Sequence, residues 1–220
     1  MITVNTQKPT VPAKRWRRTQ EERTELTRGK LIQAAIETVN ELGFAKTTSL
    51  SICKRAQVSR GAFQHHFGTV QNLLLEVVTH LSHELVGQIE TETIQYAEPA
   101  KRLEAIARRY WAVYQGPAYR AVLLIWIGSV YDRDLMARID GLMQRIDHER
   151  SSKWTEIFAS LDISEHDLHR FRRMILAMVR GLAVHAIYSQ NRVNFDETLE
   201  LIVALWSEFV AKNQRERSLS

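Results

Sequence analysis

An all-α fold of about nine helices is what this sequence predicts, and three observations carry the prediction. Apolar residues recur at i, i+3, i+4 and i+7, as Ile32, Ala35, Ile36 and Val39 do, which is the stripe of a helix with one buried face. No segment alternates with period two for long enough to make a sheet, and β-branched residues dominate none. Residues that start or stop helices, among them Gly43, Ser59, Pro99, the Gly116–Pro117 pair and Ser164, fall between the stripes.

In chain order, residues 1–19 hold Pro9, Pro12 and the basic run KRWRR at 14–18, which reads as a flexible arm. A helix then runs from Glu21 to Gly43, where glycine ends it. Two short helices follow at about 49–56 and 59–67, the first capped by Thr48 or Ser49 and the second by Ser59. A fourth helix starts after Thr69 and runs towards Tyr96, and Pro99 opens a fifth that ends at QGP, 115–117. The remaining helices fall at about 118–131, 134–160, 164–189 and 195–213, with Asp162 and Ser164 supplying capping chemistry.

Composition narrows the function classes. The apolar fraction, 45%, is ample for a core, and the only cysteine, Cys53, leaves no disulfide framework. The densest apolar run, AVLLIWIG at 121–128, is far short of the roughly 18 residues that span a bilayer. No secretory signal is visible, so a soluble cytoplasmic protein away from the membrane is expected. Charge is uneven: residues 1–70 carry a net +7 and the remainder −2. That asymmetry fits a front that meets a polyanion, and equally a solvated basic tail.

The stretch SICKRAQVSRGAFQHHF, 51–67, bears on that choice, although a generic short helical hairpin has the same features. Ile52, Ala56, Val58, Ala62, Phe63 and Phe67 bury one face of each short helix and leave Ser59, Arg60, Gln64 and His65 outward. Two helices joined by a three- or four-residue turn make a helix-turn-helix, whose second helix enters the major groove of DNA. Ser, Gln and His present donors and acceptors to base edges, and Arg forks onto guanine. Gly61 lets the backbone approach the groove wall, while Thr48 and Ser49 sit at a helix start suited to a phosphate.

GFAKTTSLSICKRAQVSRGAFQHHFGTVQNLL, 43–74, resembles the signature of TetR-family transcriptional regulators. That signature has an aromatic after glycine, a Thr pair, an Ile-led helix, Val-Ser-x-Gly, and a His-Phe pair before a long helix. The resemblance implies a basic arm over 1–19, a three-helix DNA-binding domain over 20–70, and a helical effector-binding and dimerisation domain over 71–220. It assigns Thr48 and Ser49 to phosphate contact and Ser59, Arg60, Gly61, Gln64 and His65 to the recognition helix, with His66 before the packed Phe67. Three positions depart from the family pattern. Gln64 stands for the usual tyrosine, Val70 for a lysine, and Gln57 for the turn glycine, where a left-handed backbone costs about 1 kcal/mol. Arg15, Arg17 and Arg18 are candidates to compensate through phosphate or minor-groove contacts.

The resemblance further implies a homodimer on a near-palindromic double-stranded operator and a repressor released by a small apolar or aromatic effector. Stripes on the last two helices suit a four-helix contact between copies: Leu168, Phe171, Ile175, Met178, Leu182 and Ala186 on one, Leu199, Ile202, Val203, Trp206, Phe209 and Val210 on the other. The same stripes could equally finish the monomer's own core. Tyr110, Trp111, Tyr114, Trp126, Tyr131, Met143, Met174, Met178 and His185 are candidates to line an effector pocket, and are also ordinary core residues. An alternative is the same fold sensing a protein partner.

No cofactor is expected, and no catalytic residues: the glycine-rich phosphate loop, nucleophile elbow and zinc-protease helix are all missing from the sequence. Glu76, His80, His83 and Glu84 share a helical face that could hold zinc, but a mixed-charge surface is the simpler reading, so no metal is expected.

Overall fold

Thr19 accepts a hydrogen bond from the Glu22 N–H at 3.1 Å, and the Glu22 carboxylate accepts one from the Thr19 N–H at 2.9 Å. This reciprocal capping box starts the first helix, α1 (Gln20–Leu42). The structure is a computed structural model describing residues 19–93, 96–189 and 193–218, with side chains described outside 84–95 and 216–220. Over these residues α1 is followed by α2 (Ser49–Ala56), α3 (Arg60–His66), α4 (Val70–Thr93) and α5 (Pro99–Tyr114). Then come α6 (Pro117–Gly128), α7 (Arg133–Ile157), α8 (Glu165–Tyr188) and α9 (Phe195–Ser218), with single 3-10 turns at Phe44–Lys46 and Ser129–Tyr131. Among the described residues there is no strand, and no helix is long and apolar enough to cross a membrane.

Each helix start is chemically marked. Thr48 caps α2, Ser59 caps α3, Asp132 caps α7 and Ser164 caps α8, each side chain accepting from the N–H three residues on. Pro99 and Pro117 occupy first-turn positions of α5 and α6, where a missing N–H costs nothing. The arm expected over 1–19, with Arg15, Arg17 and Arg18, lies outside the described residues up to residue 18.

One apolar core runs from Leu31, Ile36 and Val39 on α1 to Leu199, Ile202 and Trp206 on α9. α1 packs against α2, α3, α4 and α6, so the two short helices and the long helices meet across it. At the far end, Phe158 and Phe171 each pack at a tilt against Trp206, with ring centroids 4.7 and 4.9 Å away. Burying each such side chain stabilises the fold by about 1.5–3 kcal/mol.

That cluster holds the residues expected at the dimer face. Leu168, Phe171, Ile175, Leu199, Ile202 and Trp206 are buried within the protomer, and Leu182 and Phe209 are half-buried against the same core. The reason is that α5 packs on both α8 and α9 and takes up their larger stripes. The apolar residues left exposed lie elsewhere: Met174, Val184, Ile187 and Tyr188 on α8, Leu201 and Leu205 on α9.

The corner between α2 and α3 is Gln57, Val58 and Ser59. Gln57 is the one described non-glycine residue at positive φ (φ 54°, ψ 42°), and the Val58 N–H reaches back to the Cys53 carbonyl at 3.1 Å. A glutamine therefore holds the left-handed closure that glycine adopts freely. Gln57→Gly should release about 1 kcal/mol of backbone strain, partly offset by glycine's larger unfolded-state entropy. The expected outcome is a melting midpoint raised by about 1–2 °C in calorimetry; an unchanged or lower midpoint means the corner is unstrained.

Candidate nucleic-acid interface and interior crevice

Ser59 Oγ accepts from the Ala62 N–H at 3.1 Å, which fixes the first turn of α3. Phe63 and Phe67 are buried, and with them held inward, Arg60, Gly61, Gln64 and His65 are exposed on one side while His66 is half-buried. Thr48 and Ser51 cap each other at the start of α2: Thr48 Oγ1 accepts from the Ser51 N–H at 3.2 Å, and Ser51 Oγ from the Thr48 N–H at 3.0 Å. Ser49, Arg60, Gly61, Gln64, Thr69 and Val70 then line one open hollow of about 510 Å3. Three helix beginnings therefore converge, each presenting N–H groups and partial positive charge outward.

Formal charge reinforces the dipoles. Between Leu42 and Leu75 the sequence has no aspartate or glutamate, while Lys46, Lys54, Arg55 and Arg60 are basic. Lys46, Lys54 and Arg60 are exposed. Arg55 instead points at α1, where it pairs with Glu41 and with Glu37 at 3.3 Å. Its hydrogen bond holds the Glu41 carboxyl below its ordinary range, against a smaller opposing effect of burial. The geometry offers donors and cations to a polyanion, with polar side chains able to read a groove. Lys46, Lys54 and Thr69 were missed as site residues from sequence; the acid-free run was the signal that could have found them.

α3 is held from behind by a short relay. Arg138 on α7 donates to Asn72 Oδ1 at 2.6 Å, and Asn72 Nδ2 donates to the Phe67 carbonyl at 2.7 Å. Arg28 on α1 pairs with Glu76 at 2.7 Å and covers the Phe67 ring at 5.1 Å. Of the four residues considered for zinc, Glu76 is thus engaged, His80 and His83 are exposed, and the Glu84 side chain lies outside the described residues.

A second feature lies among the long helices. Val78, Leu81, Ser82, Tyr114, Tyr119, Val122, Trp126, Met143, Arg150 and Arg180 line a crevice of about 10 Å3, room for about one water. Tyr114 sits against both Tyr110 and Tyr119, with centroids 5.7 and 4.4 Å away. Burial pushes the hydroxyls of Tyr110 and Tyr119 up to about 12, so both are neutral donors near neutral pH. Of the expected pocket residues, Tyr114, Trp126 and Met143 line the crevice and Tyr110 packs beside it.

The others are elsewhere. Tyr131, in the 3-10 turn after α6, is 95% exposed, and Met174 and His185 are on the open side of α8. Trp111 stacks on Phe195 at 4.8 Å, between α5 and α9, and Met178 is packed on the core without lining the crevice. Helical register explains the split, because aromatic content says nothing about which face a residue occupies. Arg150 and Arg180 were not among the expected residues, although Arg150 falls midway between the buried Ile146 and Trp154 at i−4 and i+4.

Comparison with known proteins bears on the first feature. The family model for bacterial regulatory proteins of the tetR family matches residues 31–77, from mid-α1 into α4. The HTH-type transcriptional regulator CymR of Pseudomonas putida is 26% identical over 90% of this chain and 98% of its own length. The HTH-type transcriptional regulator BetI of Paraburkholderia phymatum is 32% identical over 49% of this chain and 57% of its own. A transcriptional regulator from Rhodococcus sp. Rha1 has the same fold, with TM-score 0.64 and 20% identity over 86% of this chain and 96% of that one.

The Arg55–Glu41 pair gives a pH test of how α2 is seated. A carboxylate whose folded pKa is depressed adds stability above its unfolded pKa and loses it as pH falls through the folded value. Wild type should therefore exceed Glu41→Gln in stability near pH 6, with the gap closing below about pH 4.5, as followed by urea unfolding. A gap constant down to pH 3 means the pair does not contribute.

Proposed function

We propose, from the premise that this chain belongs to the TetR family and is a DNA-binding transcriptional regulator, that it is a cytoplasmic repressor acting as a homodimer and released by a small effector. The observation that carries the reading is the outward row of Arg60, Gln64 and His65 on a helix held from behind by Phe63 and Phe67. In this reading residues 20–70 bind DNA and residues 71–220 dimerise and sense the effector. Ser59, Arg60, Gly61, Gln64 and His65 meet base edges, with His66 at the rim. Thr48, Ser49, Lys46, Lys54 and Thr69 meet phosphates, and Arg15, Arg17 and Arg18 reach round the duplex.

Two copies joined through α8 and α9 present two such helices to successive major grooves, about 34 Å apart. Support comes from spacing: Met174, Ala177, Gly181, Val184 and Tyr188 follow a heptad pattern on the exposed side of α8, and Met174, Val184 and Tyr188 are large apolar residues open to solvent. Leu201 and Leu205 continue that surface on α9. Such stripes pack knobs-into-holes against a second copy. The narrowness of the crevice favours a second reading, in which a protein partner is sensed instead; its unpaired polar atoms favour a ligand.

Operator sequences selected from random duplexes should be near-palindromic. Gln64→Ala is expected to lose about 1–3 kcal/mol of affinity and relax choice at one base pair per half-site, whereas removing residues 1–18 should weaken all sequences and flatten the salt dependence. Unchanged selection with Gln64→Ala removes α3 from the reading role.

Tyr188→Asp and Leu201→Asp should each yield monomers in analytical ultracentrifugation and bind a full operator no better than a half-site. Dimers retained in both place the interface on another face.

A further inference from the structure

Most arginines tied into the fold have a carboxylate or carbonyl. Arg172, 1% exposed, donates to Asp147 at 2.6 Å and to Ser151 at 2.9 Å. Arg28, Arg55, Arg108 and Arg138 have acidic partners, and Arg102 donates to two carbonyls. Arg150 and Arg180 differ, as does Arg109 away from the crevice. Arg150 is only 7% exposed and Arg180 half-buried; neither forms an ion pair among the described residues, and Arg180 has the Tyr114 hydroxyl as its polar neighbour.

Both line the crevice, where further polar atoms lack partners. The Trp126 indole N–H and the Nε–H groups of Arg150 and Arg180 are out of solvent's reach without a hydrogen-bond partner, and the buried Tyr114 hydroxyl has only the Arg180 guanidinium beside it. The Arg180 guanidinium lies over the rings of Tyr114 and Trp126, at 5.5 and 6.0 Å. Guanidinium and indole can only donate, and a tyrosine hydroxyl donates readily. Ser82 spends its hydroxyl hydrogen on the Val78 carbonyl at 2.9 Å. The crevice thus gathers donors and two cations with no aspartate or glutamate among its lining residues, and buried cations are stabilised by an acceptor of opposite charge.

We propose that this crevice, widening from its one-water volume towards the adjoining groove, takes the carboxylate of a small organic acid, held between Arg150 and Arg180 with Tyr114 and Trp126 as further donors, its apolar or aromatic body lying among Val78, Leu81, Val122 and Met143. A carboxylate matches the planar guanidinium fork. The apolar lining selects for a singly charged head on an apolar body over a strongly hydrated inorganic dianion. A way in exists: an open groove of about 730 Å3 between α7 and α8 shares Met143, Arg150 and Arg180 with the crevice. Its acids are the exposed Asp140 and Asp147, and Asp147 is already committed to Arg172. The inference rests on the effector reading above and names the chemistry of that effector.

The test uses full-length protein with phenylacetate, cinnamate and octanoate, each beside its primary amide, and inorganic phosphate as a further arm. Binding is read by tryptophan fluorescence and thermal shift. At least one carboxylate should bind tenfold or more tightly than its amide. Arg150→Met and Arg180→Met should each abolish that preference, and Tyr114→Phe should reduce it several-fold. Because an unpaired charge is removed, the methionine variants should melt at or above the wild-type midpoint without ligand, an outcome a structural arginine does not give. Equal binding of acid and amide, a preference surviving in both methionine variants, phosphate matching the organic acids, or no binding at all overturns the inference. Two further outcomes separate it from the effector reading. Amides that bind and weaken operator affinity sink the anion inference alone, whereas arginine-dependent carboxylate binding that leaves the operator complex intact supports the site and sinks the effector reading.

Discussion

The apolar side of α1 is the contact on which everything else depends. α3 has seven residues, two turns, and no helix that short persists in water without tertiary support. Its support is Phe63 and Phe67, buried in the same core as Leu31, Ile32, Ala35 and Ile36. The outward side chains have a direction only because the inward ones have a place to go. The Arg55 pairs with Glu37 and Glu41 seat α2 on α1 in the same way.

What the sequence made legible divides along physical lines. Helix number, order and capping were readable because each depends on a few residues close together in the chain, as Thr48, Ser59 and Ser164 illustrate. The outward set on α3 was readable for the same reason: two phenylalanines four apart fix the register of everything between them. The surfaces of α8 and α9 were not. Both helices carry apolar residues on more than one side, and only the position of α5 decides which stripe is covered. Tyr131 and His185, named for a pocket on composition, are exposed, which only the helix register decides.

The crevice was the least legible part. Arg150 and Arg180 belong to helices rich in charge, where the ordinary expectation is a solvated guanidinium. Their meaning emerges from relations among four helices: Tyr114 from α5, Tyr119 and Trp126 from α6, Arg150 from α7 and Arg180 from α8. No local spacing encodes such a meeting.

α6 is where the two ends of the molecule touch. Near its start the Pro117 carbonyl accepts from Asn40 of α1 at 2.9 Å. At its end Gly128 lies so close to Phe44 that a methyl group on that glycine would sit 2.3 Å from the ring. Between these points α6 contributes Tyr119, Val122 and Trp126 to the crevice. The helix is therefore clasped at both extremities and cannot slip lengthwise without dragging its holder. The crevice and the helix that seats α3 thus share α6 as a common neighbour.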